Sequence, residues 1–266
     1  MIKVENNRGD VKYNSFKFSG GETQVKVTWT DKSDMYAEYM YITANITSSD
    51  DIMELLMVTD AIRRGGIEKV YLTCPYLPYA RQDRVCAEGE ALSLKVFCDL
   101  INSQNYDKVT VWDVHSDVAL ALLNNVYNVP QSTFVNRIKM RPNTYLVAPD
   151  AGSLKKIYDV SKQTGLPVIR ADKTRDPKTG EITGTTVYSN FIPDANFLIV
   201  DDICDGGRTF IELAKKLNEI TTRRIDLYVT HGIFSQGLEE LDRWIDTIYC
   251  PNVWSNVDKH DVLKEI

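Results

Sequence analysis

An α/β fold with mainly parallel sheets flanked by helices is predicted by three features. From about residue 48 onward, short apolar strand patterns alternate with helical ones; several strands end in polar residues; and glycines punctuate the turns that follow. Residues 3–29 read instead as β-hairpin material, with Phe16-Lys17-Phe18 and Val25-Lys26-Val27 alternating around Ser19-Gly20-Gly21. Ile52, Leu55, Leu56, Thr59 and Ile62 recur at helical spacing, with Ser49 and Asp50 as caps and Gly65-Gly66 as a stop. A strand over 70–73, a helix around Leu92 to Ile101 and a strand over 109–112 follow. Strands over 144–148 and 197–200 then lead into helices over 153–162 and 209–217, and further strands over 225–230 and 247–250 complete the pattern. Such alternation implies right-handed crossovers and parallel sheets covered on both faces, with ligands beyond the C-terminal strand ends. Weak periodicity over 130–142 predicts a boundary there, giving domains 1–135 and 136–266.

Hydrophobic residues make up 43% and charged residues 26% of the 266, the usage of a folded chain. A net charge of −6 argues against a general nucleic-acid or anionic-membrane surface. The five cysteines show no CxxC pairing, so neither a disulfide framework nor a zinc site is expected. Free thiols in a reducing cytosol are the simplest account. No apolar stretch reaches bilayer length and the first ten residues lack a signal-peptide core, so a cytoplasmic location is expected.

Candidate chemistry lies at the strand ends. In Asp201-Asp202-Ile203-Cys204-Asp205-Gly206-Gly207-Arg208-Thr209 an apolar strand ends in two carboxylates, and a glycine pair opens a helix. Glycines let backbone N–H groups approach a phosphate, and a helix N-terminus favours anions. Carboxylates there can accept from ribose hydroxyls or help hold Mg2+ through water. The segment fits a ribose-phosphate cradle, and an acidic bend serving only the turn fits too. Arg81-Gln82-Asp83-Arg84, past the Pro75 to Pro78 turn, suits polyphosphate and purine contacts, as it suits a solvated loop. His115 and Asp150 each follow a strand, where a histidine is either structural or a metal or phosphate contact. Residues 172–184, rich in glycine, threonine and charge without a helical or strand period, read as a mobile lid carrying Lys173 and Arg175, or as a plain exposed loop.

Taken in order, Phe18-Ser19-Gly20-Gly21-Glu22, Asp51 to Leu56, Tyr79 to Arg84, Asp113-Val114-His115, Pro149-Asp150-Ala151-Gly152, Asp172-Lys173, Asp201 to Thr209 and Thr230-His231 resemble the ribose-phosphate diphosphokinase family. The resemblance implies two phosphoribosyltransferase-type domains with the active site between them, completed by a neighbouring subunit of a homo-oligomer that is at least a dimer. It implies transfer of the diphosphate of Mg-ATP to the C1 hydroxyl of ribose 5-phosphate. Phe18 and Glu22 would reach the ATP of an adjacent subunit, and Arg81, Gln82, Asp83 and His115 would bind ATP. His115 and Asp150 match the Mg2+ positions and Lys173 and Arg175 the catalytic lid cations. Asp201, Asp202, Asp205, Gly206, Gly207, Arg208 and Thr209 match the ribose-phosphate site. Neither nucleic acid nor membrane is an implied partner.

Four departures stand out. Gly20 replaces the aspartate of the family's Phe-Ser-Asp-Gly-Glu element, and acidic Val85 to Ala91 replaces a basic, serine-containing segment, so control by ADP and phosphate is not carried over. The chain is short at both ends compared with the family, so its usual hexamer is not implied. Arg208 stands where the family's Asp-Thr-Gly-Gly-Thr has a small residue. That added cation points to a second candidate acceptor, ADP-ribose, in a route that rebuilds NAD+ with a partner transferase. A plain phosphoribosyltransferase has no need of the elements at 18–22 and 79–84. A non-catalytic regulatory relative would be expected to lose the lid cations or metal positions, which are retained here.

Overall fold

The computed structural model describes residues 1–29, 37–175, 182–254 and 257–266, with residues 173–175 and 182–183 described through the backbone alone. The chain divides into two compact units, Met1–Val129 and Pro130–Ile266.

The first unit contains β1 (Ile2–Asn6), β2 (Gly9–Asp10), β3 (Tyr13–Lys17), β4 (Thr23–Val27), β5 (Tyr39–Ala44), α1 (Ser49–Arg64), β6 (Lys69–Cys74), α2 (Ser93–Ser103), β7 (Lys108–Trp112), α3 (Asp117–Leu122) and β8 (Val126–Val129). Six strands form a sheet in the order β2-β1-β5-β6-β7-β8, parallel from β5 to β8. Each helix carries the chain to the next neighbouring strand, so right-handed crossovers place α1, α2 and α3 on one face. The core agrees: Met40, Ile42, Val70, Leu72 and Val109 pack with Leu55, Val58, Leu94, Phe97 and Ala119. The alternation had implied cover on both faces, and consecutive winding is why this sheet has helices on one only. α1 is capped one residue earlier than expected, by Ser48 in a capping box with Asp51.

The expected hairpin is β3 paired with β4, from Tyr13↔Val27 to Lys17↔Thr23. Val25 and Val27 are buried, and on the same face three side chains of β3 tie the hairpin to α1. Tyr13 Oη and Ser15 Oγ donate to the Glu54 carboxylate (2.7 and 3.1 Å), and Lys17 Nζ donates to Asp50 (2.5 Å).

The second unit contains α4 (Gln131–Val135), β9 (Thr144–Ala148), α5 (Leu154–Thr164), β10 (Val168–Arg175), β11 (Ile182–Val187), β12 (Asn196–Cys204), α6 (Arg208–Leu217), β13 (Ile225–Gly232), α7 (Glu239–Asp242), β14 (Thr247–Cys250), β15 (Asn252–Val253) and β16 (Leu263–Glu265). The sheet runs β11-β10-β9-β12-β13-β14-β16, with β15 beside β13. Here the winding reverses. From β9 the chain passes through α5 to β10 on one side, whereas from β12 it passes through α6 to β13 on the other. The two crossovers therefore cover opposite faces, and a topological switch point opens between β9 and β12. β13 is buried along its whole length at the centre.

Residues 172–184, read as an irregular lid, are in part regular. Asp172↔Thr186, Lys173↔Thr185 and Thr174↔Gly184 pair β10 with β11 as an antiparallel ribbon, and Ile182, Thr183, Thr185, Thr186 and Val187 supply the β-branched residues that favour it. The tip, residues 176–181, and the side chains of Lys173 and Arg175 lie outside the described residues. All five cysteines are free. Among the described residues no helix is long and apolar enough to cross a membrane.

At the opposite end of β13, Asp226 is 7% exposed, with Arg141 and Arg224 only at 3.8 Å. Its Oδ1 has no hydrogen-bond partner, and burial raises its carboxyl above the ordinary value despite the two arginines. The ionised form is thus disfavoured by folding, so this group favours the fold below the unfolded pKa and that advantage disappears as pH rises through the folded one. Asp226→Asn is expected to raise the unfolding midpoint at pH 7, with the gain shrinking towards zero below about pH 4. A gain that does not change with pH in thermal unfolding would reject the burial account.

Candidate functional site

Both loops at the switch point carry sequence-predicted residues. After β9, Asp150 is half-buried and closes its own turn: its Oδ1 accepts from the backbone N–H of Ser153 (3.1 Å), while Ser153 Oγ donates to its carbonyl (2.8 Å). This fixes the carboxylate at the start of α5.

After β12 the chain passes through Asp205 and Gly206 to Gly207, whose φ of +78° caps α6. A side chain is unfavourable there because of the left-handed backbone and because an added Cβ would lie 3.1 Å from Leu241. The turn is held from β13's exit: Ser235 Oγ donates to Asp205 Oδ1 (2.7 Å) and its backbone N–H to the Asp205 carbonyl (3.1 Å). Arg208 is the exposed first residue of α6, and no acidic residue lies in that turn. A cation at a helix N-terminus opposes the macrodipole, and a bound anion reverses that penalty.

Asp201 and Asp202 do not form a side-by-side pair. Successive strand residues point to opposite faces, and Asp202 is turned towards α5, where Lys156 Nζ donates to its Oδ2 (2.9 Å). Asp201 is half-buried, and its Oδ1 accepts from the Asp202 N–H (3.0 Å). Cys204, next in the run, is buried, and that burial pushes its thiol up, as befits a small spacer and not a reactive group.

In the first unit, Arg81 and Gln82 are exposed on the turn after β6, where Tyr79 takes a φ of +63° and the Gln82 N–H donates to its carbonyl (2.8 Å). Asp83 is a brace: its Oδ2 accepts from Ser116 Oγ (2.7 Å) and its Oδ1 from Arg84 Nε (3.0 Å). Both bonds hold the Asp83 carboxyl below the ordinary carboxylate range, the Arg84 bond contributing most. Ser116 also caps α3, accepting from Val118 N–H (3.2 Å). Since His115 precedes Ser116 and is exposed, the Arg81-Gln82 loop and the His115 turn form one connected frame. Phe18 and Glu22 flank the hairpin tip. Phe18 is 54% exposed and meets Phe16 edge-on at 5.1 Å.

Ser116, Lys156 and Ser235 escaped the sequence reading. Only Ser116 left a signal, a serine immediately before a helix start. The others act across the fold. Among the described residues, no group of three or more His, Cys, Asp or Glu could hold a metal ion.

A family model described as the N-terminal domain of ribose phosphate pyrophosphokinase matches residues 4–104, and one for the phosphoribosyl transferase domain matches residues 134–261. The chain is 30% identical over 242 residues to a ribose-phosphate pyrophosphokinase of Pyrococcus abyssi, covering 89% of this chain and 82% of that protein. A ribose-phosphate pyrophosphokinase of Thermococcus kodakarensis is 30% identical over 243 residues, with 89% and 83% covered. The crystal structure of phosphoribosylpyrophosphate synthetase from Mycobacterium smegmatis shares the fold, with a TM-score of 0.79 at 19% identity over 96% of this chain and 86% of that one. With both domain types matched in order, the chain belongs to the ribose-phosphate pyrophosphokinase family, as an enzyme of the diphosphokinase type.

Proposed function

We propose that this enzyme moves the β,γ-diphosphate of Mg-ATP onto the C1 hydroxyl of ribose 5-phosphate, forming phosphoribosyl diphosphate. The C1 oxygen attacks the β-phosphorus, the bond from that phosphorus to the bridging oxygen breaks, AMP leaves, and the hydroxyl proton passes to solvent. The observation that carries the reading is the glycine-turn helix start of α6, set at the switch point beside Asp150. Gly206, Gly207 and Thr209 would hold the 5-phosphate, and Asp201 and Asp205 the ribose side, with Asp202 anchoring the strand end to α5 through Lys156. Arg81, Gln82 and His115 would bind ATP, held in place by Asp83, with Phe18 and Glu22 supplied by a second copy in a homo-oligomer. Lys173 and Arg175 would meet the charge on the transferring group.

Mg2+ supplies charge neutralisation on the phosphate oxygens. The fixed carboxylate of Asp150 suits this ion, which keeps several waters and takes one or two protein ligands plus substrate phosphates. Asp150 and His115 would be those ligands.

Arg208 favours a second reading. Its guanidinium sits at a helix start that lacks any acidic neighbour in the first turn, and a second phosphate on the acceptor would satisfy it. ADP-ribose carries that phosphate, and its product would feed NAD+ rebuilding. The test is AMP release from Mg-ATP with each sugar separately, in wild type and Arg208→Thr. Turnover with ribose 5-phosphate alone sinks the ADP-ribose reading, and a selective loss with ADP-ribose in Arg208→Thr supports it. No AMP release with either sugar would leave a non-catalytic relative.

A further inference from the structure

Asp172 lies where β10 changes partners, and the proposed chemistry gives it no part. Pairing of β10 with β9 runs from Val168↔Leu146 to Arg170↔Ala148 and stops there, whereas pairing with β11 starts at Ala171↔Val187 and continues beyond it. Between Arg170 and Asp172 the strand therefore passes from the parallel sheet into a two-stranded ribbon. On one face of this junction, Ile169, Ala171 and Val187 pack into the core with Phe210 and Leu213 of α6. The other face carries a polar clamp. Arg170 Nε and Nη2 donate to the two oxygens of Asp172 (3.2 and 2.8 Å), and the Arg170 guanidinium stands 5.6 Å from the centre of the Tyr188 ring. Tyr188 lies opposite Arg170, its backbone N–H donating to the Arg170 carbonyl (2.9 Å), and its hydroxyl donates to Asp172. The Arg170 bonds first, and then the Tyr188 hydroxyl, hold the Asp172 carboxyl below the ordinary carboxylate range.

Such a clamp adds little to stability. The side chains of Arg170 and Asp172 are 49% and 28% exposed, Tyr188 is 59% exposed, and exposed ion pairs are worth little to a fold. Its effect is on direction. A two-stranded ribbon twists more than a wide sheet, and the clamp joins the last sheet-paired residue of β10, a residue of the outgoing ribbon strand and the start of the returning one. Just past Lys173, a register shift between Thr174 and Arg175 marks a bulge, the device that bends a strand and re-aims what it carries. The Lys173 backbone thus lies between two features that set the course of the ribbon. Arg223 with Asp194 (3.1 Å) is an exposed ion pair in the loops before β13 and β12, with no ribbon to aim.

We infer that Asp172 is a positioning residue: held by Arg170 and Tyr188, it fixes the direction in which the ribbon leaves the sheet, and so where the backbone presents Lys173. The inference rests on the role proposed for Lys173, and two readouts separate their failures. Amide hydrogen exchange of the full chain tests the clamp without any substrate. Asp172→Asn should quicken exchange across the paired residues of the ribbon by about threefold or more, with β12 and β13 unchanged. Initial rates with Mg-ATP and the sugar phosphate that wild type consumes test what the clamp does. Asp172→Asn should lower kcat about tenfold at an unchanged unfolding midpoint, with KM for both substrates within about twofold of wild type. In a Lys173→Ala background it should lower kcat no further. Tyr188→Phe, which removes one hydroxyl, repeats both measurements should Asp172→Asn fail to fold, and Asp194→Asn should match wild type in both. Unchanged ribbon exchange, a near-normal kcat, or a loss that multiplies with that of Lys173→Ala overturns the positioning role and leaves the proposed function standing. A normal kcat in Lys173→Ala, or a wild type that turns over neither sugar, overturns both.

Discussion

Lys173→Ala is expected to lower turnover by about 10²–10³-fold while leaving the unfolding midpoint unchanged. Pairing between β10 and β9 ends at Arg170↔Ala148, so β10 runs on past the sheet's end on the side where Asp150 follows β9. Lys173 lies in that extension, paired through its backbone with Thr185. The substitution leaves the backbone pairing of the ribbon intact, which is why folding should not notice it. Phosphoryl transfer builds charge on the equatorial oxygens, and a group that meets this charge only in the transition state acts on kcat more than on KM. Steady-state kinetics with both substrates separates the possibilities. A near-normal kcat would remove Lys173 from the proposed chemistry.

Gly207→Ala should weaken both the fold of the second unit and its sugar-phosphate site. Its left-handed backbone disfavours an L side chain by about 1–2 kcal/mol. The new Cβ also meets Cγ and both Cδ atoms of Leu241 at 3.1 Å, and Leu241 is itself buried. The strain is relieved by shifting the start of α6, which carries the first-turn amides and Arg208. Stability should fall by about 1–3 kcal/mol, and KM for the sugar phosphate should rise about tenfold or more. Gly206→Ala is the control for stability alone, because its Cβ would meet only Gln236 at 3.4 Å and Ser235 at 3.9 Å. Equal losses of stability at the two positions, measured by denaturant unfolding, would show that the left-handed backbone and the Leu241 contact at Gly207 are irrelevant.

The strand–helix rhythm after residue 48 was legible because burial on a sheet and on a helix face each imposes a period. β5 was missed although Met40, Ile42 and Ala44 alternate inward with Tyr39, Tyr41 and Thr43. Two of its three outward positions are tyrosines, so the apolar pattern reads as continuous and loses its period. Gln131–Val135 was read as linker because a five-residue helix is too short to show periodicity. At the site, motif order located the loops, whereas their supports did not appear. Lys156 and Asp202 are 46 residues apart and Ser116 and Asp83 33 apart, and no local rule links them. The opposed directions of Asp201 and Asp202 follow from strand geometry alone.

The hairpin of β3 and β4 is tied to α1 at Tyr13, Ser15 and Lys17, at every second position along one strand. A ribbon fastened in this way travels only with its helix. Phe18, proposed above to meet a nucleotide, would then be a preset wall whose ordering cost is met when the chain folds instead of when a ligand arrives. The outermost tie, Lys17 to Asp50, is solvent-exposed at 53% and 68%, so rising ionic strength would slacken the tip before the two glutamate bonds below it.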